Sequence, residues 1–436
     1  MSQPTQTSLN ATPVLNASST KTLGLAAFGG ALEYYDFILF VIYAPILSQL
    51  FFPVEMSGFW ALLNTYGIFA IGYFVRPLGG IVMAHFGDLL GRKRLFMISL
   101  MMMALPTLMI GLLPTFSTVG YFATFLLFTM RFFQGIAVGG EIPSAHVFVS
   151  EHAQKGSVGF ANSLVAVGLT FGVLLGTFVA WVLSLCFTST QIDAYAWRIP
   201  FILGGFLGII SVYLRRYLSE TPVFLAMKAR KTLHTGIPLK TVFSHHKSGI
   251  VLSMSVVPLL VAGVIIILLA PNLMKSEAFN LDKTVVYGLS LAATFLNILG
   301  GLCAGRLCDR IGAGKTLMIF SPILGILSFI FYHSIGNVSV PILSLLYLAT
   351  GFFVGIGAVV PYVVIHAFPP NVRLSGMAFS YNISYALVAG SVAPLLTWAN
   401  QFSLMSGAYY VILLTTISTL CGVFLIMKPQ KICQHR

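Results

Sequence analysis

The chain alternates between long apolar runs and short polar breaks along nearly its whole length. Most runs hold roughly 18 or more residues, enough to cross the 30 Å core of a bilayer as a helix. A spanning β-barrel would instead show alternating segments of about 10 residues, so we predict an all-α integral membrane protein. The twelve predicted spans are 23–50, 60–86, 95–113, 118–146, 158–185, 199–217, 249–274, 284–307, 315–333, 340–366, 374–400 and 405–427.

The composition agrees with a membrane-embedded chain. Of the 436 residues, 57% are hydrophobic and only 8% are charged, whereas soluble domains carry about 25% charged residues. The five cysteines have no metal-ligand spacing, and the sequence contains no catalytic triad or nucleotide-binding loop. We therefore expect no enzyme activity, no metal and no cofactor.

The net charge of +13 is compatible with a nucleic-acid partner, but its distribution along the chain argues against one. Most Lys and Arg residues fall in loops on one side of the predicted bundle, and only about three, Arg198, Lys275 and Lys283, fall on the other side. Because cytoplasmic loops carry the excess of Lys and Arg, we place both termini and the central loop in the cytoplasm and expect no nucleic-acid partner.

The predicted spans divide into two halves of six. The expected organisation is a disordered cytoplasmic tail (1–22), an N-terminal six-helix bundle (23–217), a cytoplasmic linker (218–248), a C-terminal six-helix bundle (249–427) and a second cytoplasmic tail (428–436). Both halves carry a Gly/Asp/basic turn after their second span, GDLLGRKRLF at 87–96 and GRLCDRIGAGKTL at 305–317. Internal repeats are a hallmark of secondary transporters, whose substrate site lies near the midplane between the repeats.

One turn and six short motifs follow one another in a characteristic order over most of the chain. The turn contains Gly87, Asp88, Gly91, Arg92, Lys93 and Arg94. The motifs are EYYDF (33–37), RPLGG (76–80), RFFQGIAVGGE (131–141), WRIPF (197–201), ETPVF (220–224) and SYNIS (380–384). Together they resemble the major facilitator superfamily, and within it the metabolite:proton symporters, which include proline/betaine, α-ketoglutarate, citrate and shikimate carriers. The resemblance implies two pseudo-symmetric six-helix bundles and a monomeric, proton-coupled carrier in a bacterial inner membrane, working by alternating access.

Five charged residues fall inside predicted spans, where a charge costs several kcal/mol and marks a functional candidate. They are Glu33, Asp36, Arg76, Arg131 and Glu141. Glu33 and Asp36 are three residues apart and share one helix face. Two nearby carboxylates in a low dielectric do not both ionise cheaply, so at least one is expected to bind a proton near neutral pH. Proton coupling is the favoured role, and a structural ion pair with Arg76 or Arg131 is the alternative.

The two arginines inside the spans have two candidate roles each. Arginine keeps its charge and offers a bidentate fork to carboxylates, so Arg76 and Arg131 either bind a substrate carboxylate or neutralise the acids of the first span. Glu141 lies about 15 Å nearer the cytoplasm than Arg131 along a helix. It either relays protons or has a gating or structural role by pairing with the basic turn.

Charges at the predicted cytoplasmic helix ends are candidates for gating. In the superfamily that the sequence resembles, such charges form a latch that stabilises the outward-facing state; ordinary solvated interface charge is the alternative. His85 and His146 lie near the same surface and are expected to be packed or interfacial residues. The gating candidates are Asp88, Gly91, Arg92, Glu151, Asp309 and Arg310.

The C-terminal half has no acid at mid-depth, so its polar residues inside spans are the candidates for contact with a substrate. Tyr381 and Tyr385 are four residues apart and share a helix face, although aromatic core packing is the alternative for each of them. Together with Tyr34 from the first span, the candidates are Asn272, Asn297, Tyr362, Tyr381, Asn382 and Tyr385.

These features predict a proton-coupled symporter that imports a small polar metabolite, with the proton gradient as its energy source. Two arginines suit a mono- or dicarboxylate, and two acids beside them suit a zwitterion such as proline or betaine. Permanent positive charge in the membrane is harder to explain without an anion, which favours an organic acid. The rivals are a proton-coupled exporter of metabolites or drugs and, more distantly, a non-transporting membrane receptor.

Overall fold

A computed structural model of the chain describes residues 17–80, 92–153, 156–215, 238–276, 279, 281–369 and 372–428. Within these ranges every regular element is a helix. The long helices are α1 (Ala17–Leu50), α2 (Gly58–Gly80), α3 (Arg92–Leu112), α4 (Tyr121–Val138), α5 (Glu141–His152), α6 (Val158–Cys186), α7 (Arg198–Arg215), α8 (Lys247–Met274), α9 (Lys283–Ile311), α10 (Ala313–Ser334), α11 (Val340–His366), α12 (Arg373–Ala399) and α13 (Ser406–Met427).

The predicted all-α membrane fold is confirmed. Nine helices of the described part of the chain are long and apolar enough to cross a bilayer. The pair Ser189–Ala196 and Arg198–Tyr213, bent by 49°, makes a tenth candidate if it counts as one span. The shorter apolar helices Tyr34–Leu50 and Leu100–Leu112 correspond to the first and third predicted spans. Helices α4 and α5, separated by Gly139 and Gly140, together cover the fourth.

The helices form two bundles that meet along two seams. In the first bundle α1 packs on α6 and α3 on α7; in the second, α9 packs on α11 and α10 on α13. The bundles contact each other mainly where α6 meets α9 and where α2 meets α12. These two seams enclose the space in which the candidate site lies.

Two local features lie beyond the predicted spans. Helix α1 begins at Ala17 within the predicted tail, because helical hydrogen bonds form within the backbone and do not end where the apolar run ends. A short helix, Pro238–His245, lies in the predicted linker and begins at a proline, which suits the first helical position. It docks on α12 through Phe243 and Phe379, whose ring centroids are 4.6 Å apart.

Helices α8 and α11 contain turns that are not α-helical. Helix α8 has a 3₁₀ turn at Val257–Leu260, which includes Pro258, and a π turn at Val264–Leu269. Helix α11 has a 3₁₀ turn at Gly355–Val359. Proline and glycine disturb the regular hydrogen-bond ladder. Residues of the π turn and of the α11 turn line the central cavity.

Glycines bring α2 and α4 into backbone contact. A Cβ atom on Gly135 would lie 2.7 Å from the carbonyl oxygen of Gly72, and one on Gly139 would overlap the carbonyl oxygen of Arg76. Small residues four positions apart form such a packing face between membrane helices. This close approach fixes the position of Arg76 relative to α4.

We expect Gly135→Val to lower the free energy of unfolding by roughly 1–3 kcal/mol, because the added side chain must push α2 away from α4. Thermal unfolding in detergent measures the effect as a lower midpoint. The matched control is Gly67→Val on α2, where a Cβ atom meets nothing within 4 Å. Equal midpoints for the two variants would contradict the packing argument.

Candidate functional site

A buried carboxylate on α1 forms an ion pair inside the first bundle. Asp36 is 2% exposed, and its Oδ2 lies 3.2 Å from Nη1 of Arg131 on α4. Its other oxygen, Oδ1, accepts a hydrogen bond of 2.7 Å from the hydroxyl of Thr107 on α3. The ion pair and its hydrogen-bonding partner Thr107 thus come from three different helices. The geometry of the pair therefore depends on how these helices pack.

Gln134 closes the pair into a ring of four side chains. Arg131 Nη1 donates to Gln134 Oε1 at 2.7 Å, and Gln134 Nε2 donates to Thr107 Oγ1 at 3.0 Å. The Thr107 hydroxyl also lies 2.8 Å from the carbonyl oxygen of Met103. Because a hydroxyl carries one hydrogen, Thr107 donates either to Asp36 or to Met103 at any one time.

Aromatic rings surround the guanidinium of Arg131. Its Cζ lies 4.1 Å from the ring centroid of Phe40 and 5.3 Å from that of Phe69. Cation–π contacts of this kind stabilise a desolvated guanidinium. Through these two contacts Arg131 packs against α1, by Phe40, and against α2, by Phe69.

Arg76 lies where the two bundles meet. It is 2% exposed, and its Cζ lies 4.5 Å from the ring of Tyr73 on its own helix and 5.6 Å from the ring of Tyr385 on α12. The rings of Tyr73 and Tyr385 contact each other edge to face, with centroids 5.5 Å apart. Arg76 is therefore held by an aromatic pair that spans the interface between the bundles.

A two-lobed cavity lies between the bundles. The first lobe, the Arg76 lobe, has a volume of about 100 Å³ and is also lined by Tyr73 and Ile38. The second, the His146 lobe, has a volume of about 120 Å³ and is also lined by Ser163 and Tyr381. Drug-sized ligands occupy roughly 300–1,000 Å³, so these lobes suit a small solute. Both lobes share Tyr34, Thr170, Asn297 and Tyr385.

At the end predicted to be cytoplasmic, a side chain of the second bundle accepts hydrogen bonds from the start of α6. The carboxylate of Asp309 on α9 accepts hydrogen bonds from the backbone N–H groups of Gly159 at 2.7 Å and Phe160 at 2.8 Å. The guanidinium of Arg306 lies 4.3 Å from the Phe160 ring. On the side of the other seam, Asn382 Nδ2 of α12 donates to the carbonyl oxygen of Gly139 at 2.7 Å. These contacts join the two bundles.

At the opposite end the bundles meet through Asn272 of α8. Its Nδ2 donates to the carbonyl oxygen of Val41 at 2.7 Å and to the hydroxyl of Tyr66 at 3.1 Å. The next polar residue, Lys275, donates to the hydroxyl of Tyr287 at 3.1 Å. Burial, together with nearby Lys283, lowers the pKa of Lys275 to about 7. The bundles thus contact each other at both ends of the cavity.

The structure brings some of the predicted site residues together and separates others. Arg76, Tyr34, Tyr381 and Tyr385 line the cavity, whereas Arg131 lies in the ion pair with Asp36. Among the other candidates, Asn272 and Asn382 lie in contacts between the bundles. Tyr362 lies against His366, with ring centroids 4.2 Å apart and planes tilted by 33°. Asp309 caps α6, and Arg310 is exposed.

Several candidates fall outside the described part of the molecule. Asp88 and Gly91 lie in the segment 81–91, which the structure does not describe. For four further candidates it describes the backbone but not the side chain. Glu33, Arg92, Glu141 and Glu151 belong to this second group. Their predicted roles stay predictions.

Sequence reasoning did not single out Thr107 or Gln134, and it expected His146 to be a packed or interfacial residue. Gln134 is three residues after Arg131, so helical spacing alone could have paired them. Thr107 carries no such signal, because its contact with Asp36 is made across 71 positions of the chain. His146 is buried, as expected of a packed residue, but it also lines the cavity.

Comparison with known proteins identifies relatives along nearly the whole chain. The sequence model of the Major Facilitator Superfamily matches residues 26–394. The glycine betaine/proline/ectoine/pipecolic acid transporter OusA of Dickeya dadantii is 30% identical over 425 residues, covering 93% of this chain and 83% of the relative. The inner membrane metabolite transport protein YhjE of Escherichia coli is 32% identical over 391 residues, covering 86% and 87%.

Solved structures show the same fold. The proton:xylose symporter XylE, bound to 6-bromo-6-deoxy-D-glucose, superimposes with a TM-score of 0.74 at 15% identity, covering 94% of this chain and 95% of XylE. The inward-open conformation of XylE from E. coli gives a TM-score of 0.72 at 16% identity, covering 93% and 95%. At this level of identity the likeness concerns the fold alone.

Proposed function

The chain belongs to the Major Facilitator Superfamily, and on that premise we propose that it imports a small zwitterionic metabolite together with a proton by alternating access. It is a multi-pass membrane transporter and not an enzyme. The observation that carries the proposal is the buried Asp36–Arg131 pair, together with a small cavity between the bundles that is lined by a second arginine, Arg76.

Asp36 is the proposed proton site because its surroundings accommodate both of its protonation states. When Asp36 is ionised, Thr107 donates to it and Arg131 balances its charge. When Asp36 is protonated, its own O–H donates to Thr107 Oγ1, and the Thr107 hydrogen turns to the Met103 carbonyl oxygen at 2.8 Å. No buried donor is lost in the exchange, so the usual penalty for an unpaired polar group does not arise.

Charge balance then couples the proton to the solute. Arg131 and Arg76 interact electrostatically, and Phe69 and Tyr73, with ring centroids 5.1 Å apart, connect their surroundings. Protonation of Asp36 removes one negative charge from the surroundings of Arg131 and Arg76. A solute carboxylate at Arg76 restores the balance, so each ligand favours binding of the other.

The same geometry favours a zwitterion over the organic acid expected from the sequence. That expectation rested on positive charge without an anion, and Asp36 now supplies the anion for Arg131. Arg76 is the arginine that lines the cavity, and the described lining residues include no Lys or acid. One cation suits one carboxylate, and tyrosine faces suit an ammonium group. OusA is named for four solutes that include glycine betaine and proline.

The proposed setting is a bacterial inner membrane, with both termini in the cytoplasm and the carrier acting as a monomer. The excess of Lys and Arg in the loops on one side supports this orientation. One relative is named as an inner membrane protein.

Transport of labelled solutes into proteoliposomes tests the proposal. With an inward proton gradient we expect L-proline to accumulate above equilibrium, protonophore to abolish this, and Arg76→Gln to lower uptake by at least about tenfold because the carboxylate loses its charged partner. The control is Lys315→Gln, an exposed lysine with no assigned role.

The other results of this experiment are equally informative. Accumulation of succinate in place of L-proline would restore the organic acid as the solute class. Proline efflux driven by the same gradient would make the protein an exporter. If neither solute moved, symport of small carboxylates would be wrong.

A further inference from the structure

His146 belongs to a buried polar network beside the cavity. The residue is 1% exposed, lies on α5 and lines the His146 lobe. Its Nδ1 lies 2.9 Å from Oδ1 of Asn162 on α6. Asn162 Nδ2 donates to the carbonyl oxygen of Val158 at 2.9 Å and to the hydroxyl of Ser150 at 2.8 Å. Ser150 in turn donates to the backbone carbonyl of His146.

This network determines which nitrogen of the neutral imidazole carries the hydrogen. A carbonyl oxygen only accepts, so the contact with Val158 requires that the Asn162 atom facing it be the NH₂ group. The Asn162 atom facing His146 is therefore the amide oxygen, which also only accepts. Nδ1 of His146 must donate to it, and Nε2 of the neutral ring is left as a hydrogen-bond acceptor.

Nε2 is the polar atom that this side chain offers to a solute. The hydrogen bonds of the described residues assign it no protein partner, while the ring itself lines the cavity. The other titratable groups on the described lining of this lobe are the hydroxyls of Tyr34, Tyr381 and Tyr385. An acceptor in this position is complementary to an N–H or O–H group of the occupant.

We propose that His146 binds the transported solute by accepting a hydrogen bond from its N–H group, and so selects amino and imino acids over fully N-methylated zwitterions. The inference rests on the proposed function, since it concerns the solute of the same cavity. An ammonium group with N–H satisfies Nε2, whereas a quaternary nitrogen places methyl groups against it. A buried acceptor left without a donor pays its full desolvation penalty.

A matched pair of solutes tests this selection. L-proline and N,N-dimethyl-L-proline share ring and carboxylate and differ in having N–H or N–CH₃ groups. We expect purified wild-type protein to bind L-proline at least about tenfold more tightly. In His146→Leu this ratio should fall to about one, because L-proline loses the acceptor for its N–H group while the dimethyl compound no longer buries an acceptor without a donor.

Ser150→Ala is the control, because it disturbs the same network without touching Nε2. A purely structural role for His146 would change the binding of both solutes equally, so the ratio of affinities is the readout. We expect Ser150→Ala to keep the wild-type ratio. The wild-type ratio is itself a test that does not depend on the folding of any variant.

The outcomes separate this inference from the proposed function. Equal binding of the two solutes by the wild type, or an unchanged ratio in His146→Leu, would overturn the role of His146 and leave proton-coupled import intact. Binding of neither solute, with no uptake of L-proline in proteoliposomes, would overturn the solute class and this inference together.

Discussion

Asp36→Asn is expected to abolish accumulation of the solute against its gradient while leaving exchange of solute across the membrane intact. Asparagine has the shape of the protonated acid but does not bind or release a proton. Its NH₂ group takes the place of the acid O–H as donor to Thr107 Oγ1, and its oxygen remains the acceptor for Arg131. The loaded carrier should therefore reorient, whereas the return of the empty carrier, which requires an ionised Asp36, should fail.

Two assays in proteoliposomes separate these steps. Uptake driven by a proton gradient should fall by at least about a hundredfold, because the variant has no group that binds and releases the coupling proton. Counterflow, in which labelled solute exchanges with unlabelled solute at equal pH, should persist. The control Glu55→Gln removes an exposed acid and should change neither assay.

The loss of one partner from a buried ion pair also threatens folding, at a cost of roughly 3–5 kcal/mol. The double variant Asp36→Asn/Arg131→Gln removes both charges of the pair, so that the guanidinium is not retained after its partner Asp36 has lost its charge. It should fold better than the single variant and remain uncoupled. Proton-driven accumulation in either variant would show that Asp36 is not the coupling group and would direct attention to Glu33.

The second large effect is expected from Asp309→Asn, which should open the predicted cytoplasmic end of the cavity. The carboxylate of Asp309 accepts from two backbone N–H groups at the start of α6 and lies at the positive end of that helix. Asparagine keeps one acceptor oxygen and no charge. Loss of one charge-assisted hydrogen bond costs about 1.5–3 kcal/mol, which shifts the balance between closed and open forms by roughly ten- to a hundredfold.

Labelling of a cavity residue measures this shift. In a background without native cysteines, Ser163→Cys places a thiol in the His146 lobe, and its reaction with an impermeant maleimide from the cytoplasmic side should accelerate in Asp309→Asn. Asp282→Asn is the matched control, because Asp282 caps α9 through Thr284 and Val285 within its own bundle. Equal rates in the two variants would mean that Asp309 does not hold the bundles together.

The sequence alone predicted the spans because each is a nearly uninterrupted apolar run, and bilayer thickness fixes its length. It also identified Asp36 and Arg131, since charge inside a span is rare. It did not decide whether Arg76 or Arg131 is the partner of Asp36. That choice depends on how α1, α3 and α4 pack, which involves contacts across 95 positions of the chain.

Asn272 and Asn382 show the same limit in another form. Hydropathy places both residues inside spans, and this made them candidates for the cavity. A position within a span gives depth but not the direction that the side chain faces. Both side chains instead donate to backbone carbonyl oxygens of the other bundle, at Val41 and Gly139. His146 was expected to be a packed residue, yet it lines the cavity. Its contact with Asn162 on the next helix, which hydropathy does not reveal, leaves Nε2 as the acceptor that faces the solute.

The hydrogen bonds that join the two bundles at the Asp309 end and at the Asn272 end differ in strength. At one end an ionised carboxylate accepts two backbone N–H groups at a helix start, while at the other the neutral amide of Asn272 donates to a carbonyl and a hydroxyl. Hydrogen bonds to an ionised group are roughly twice as strong as neutral ones. In the predicted orientation, we therefore expect the empty carrier to open more readily at the Asn272 end than at the Asp309 end.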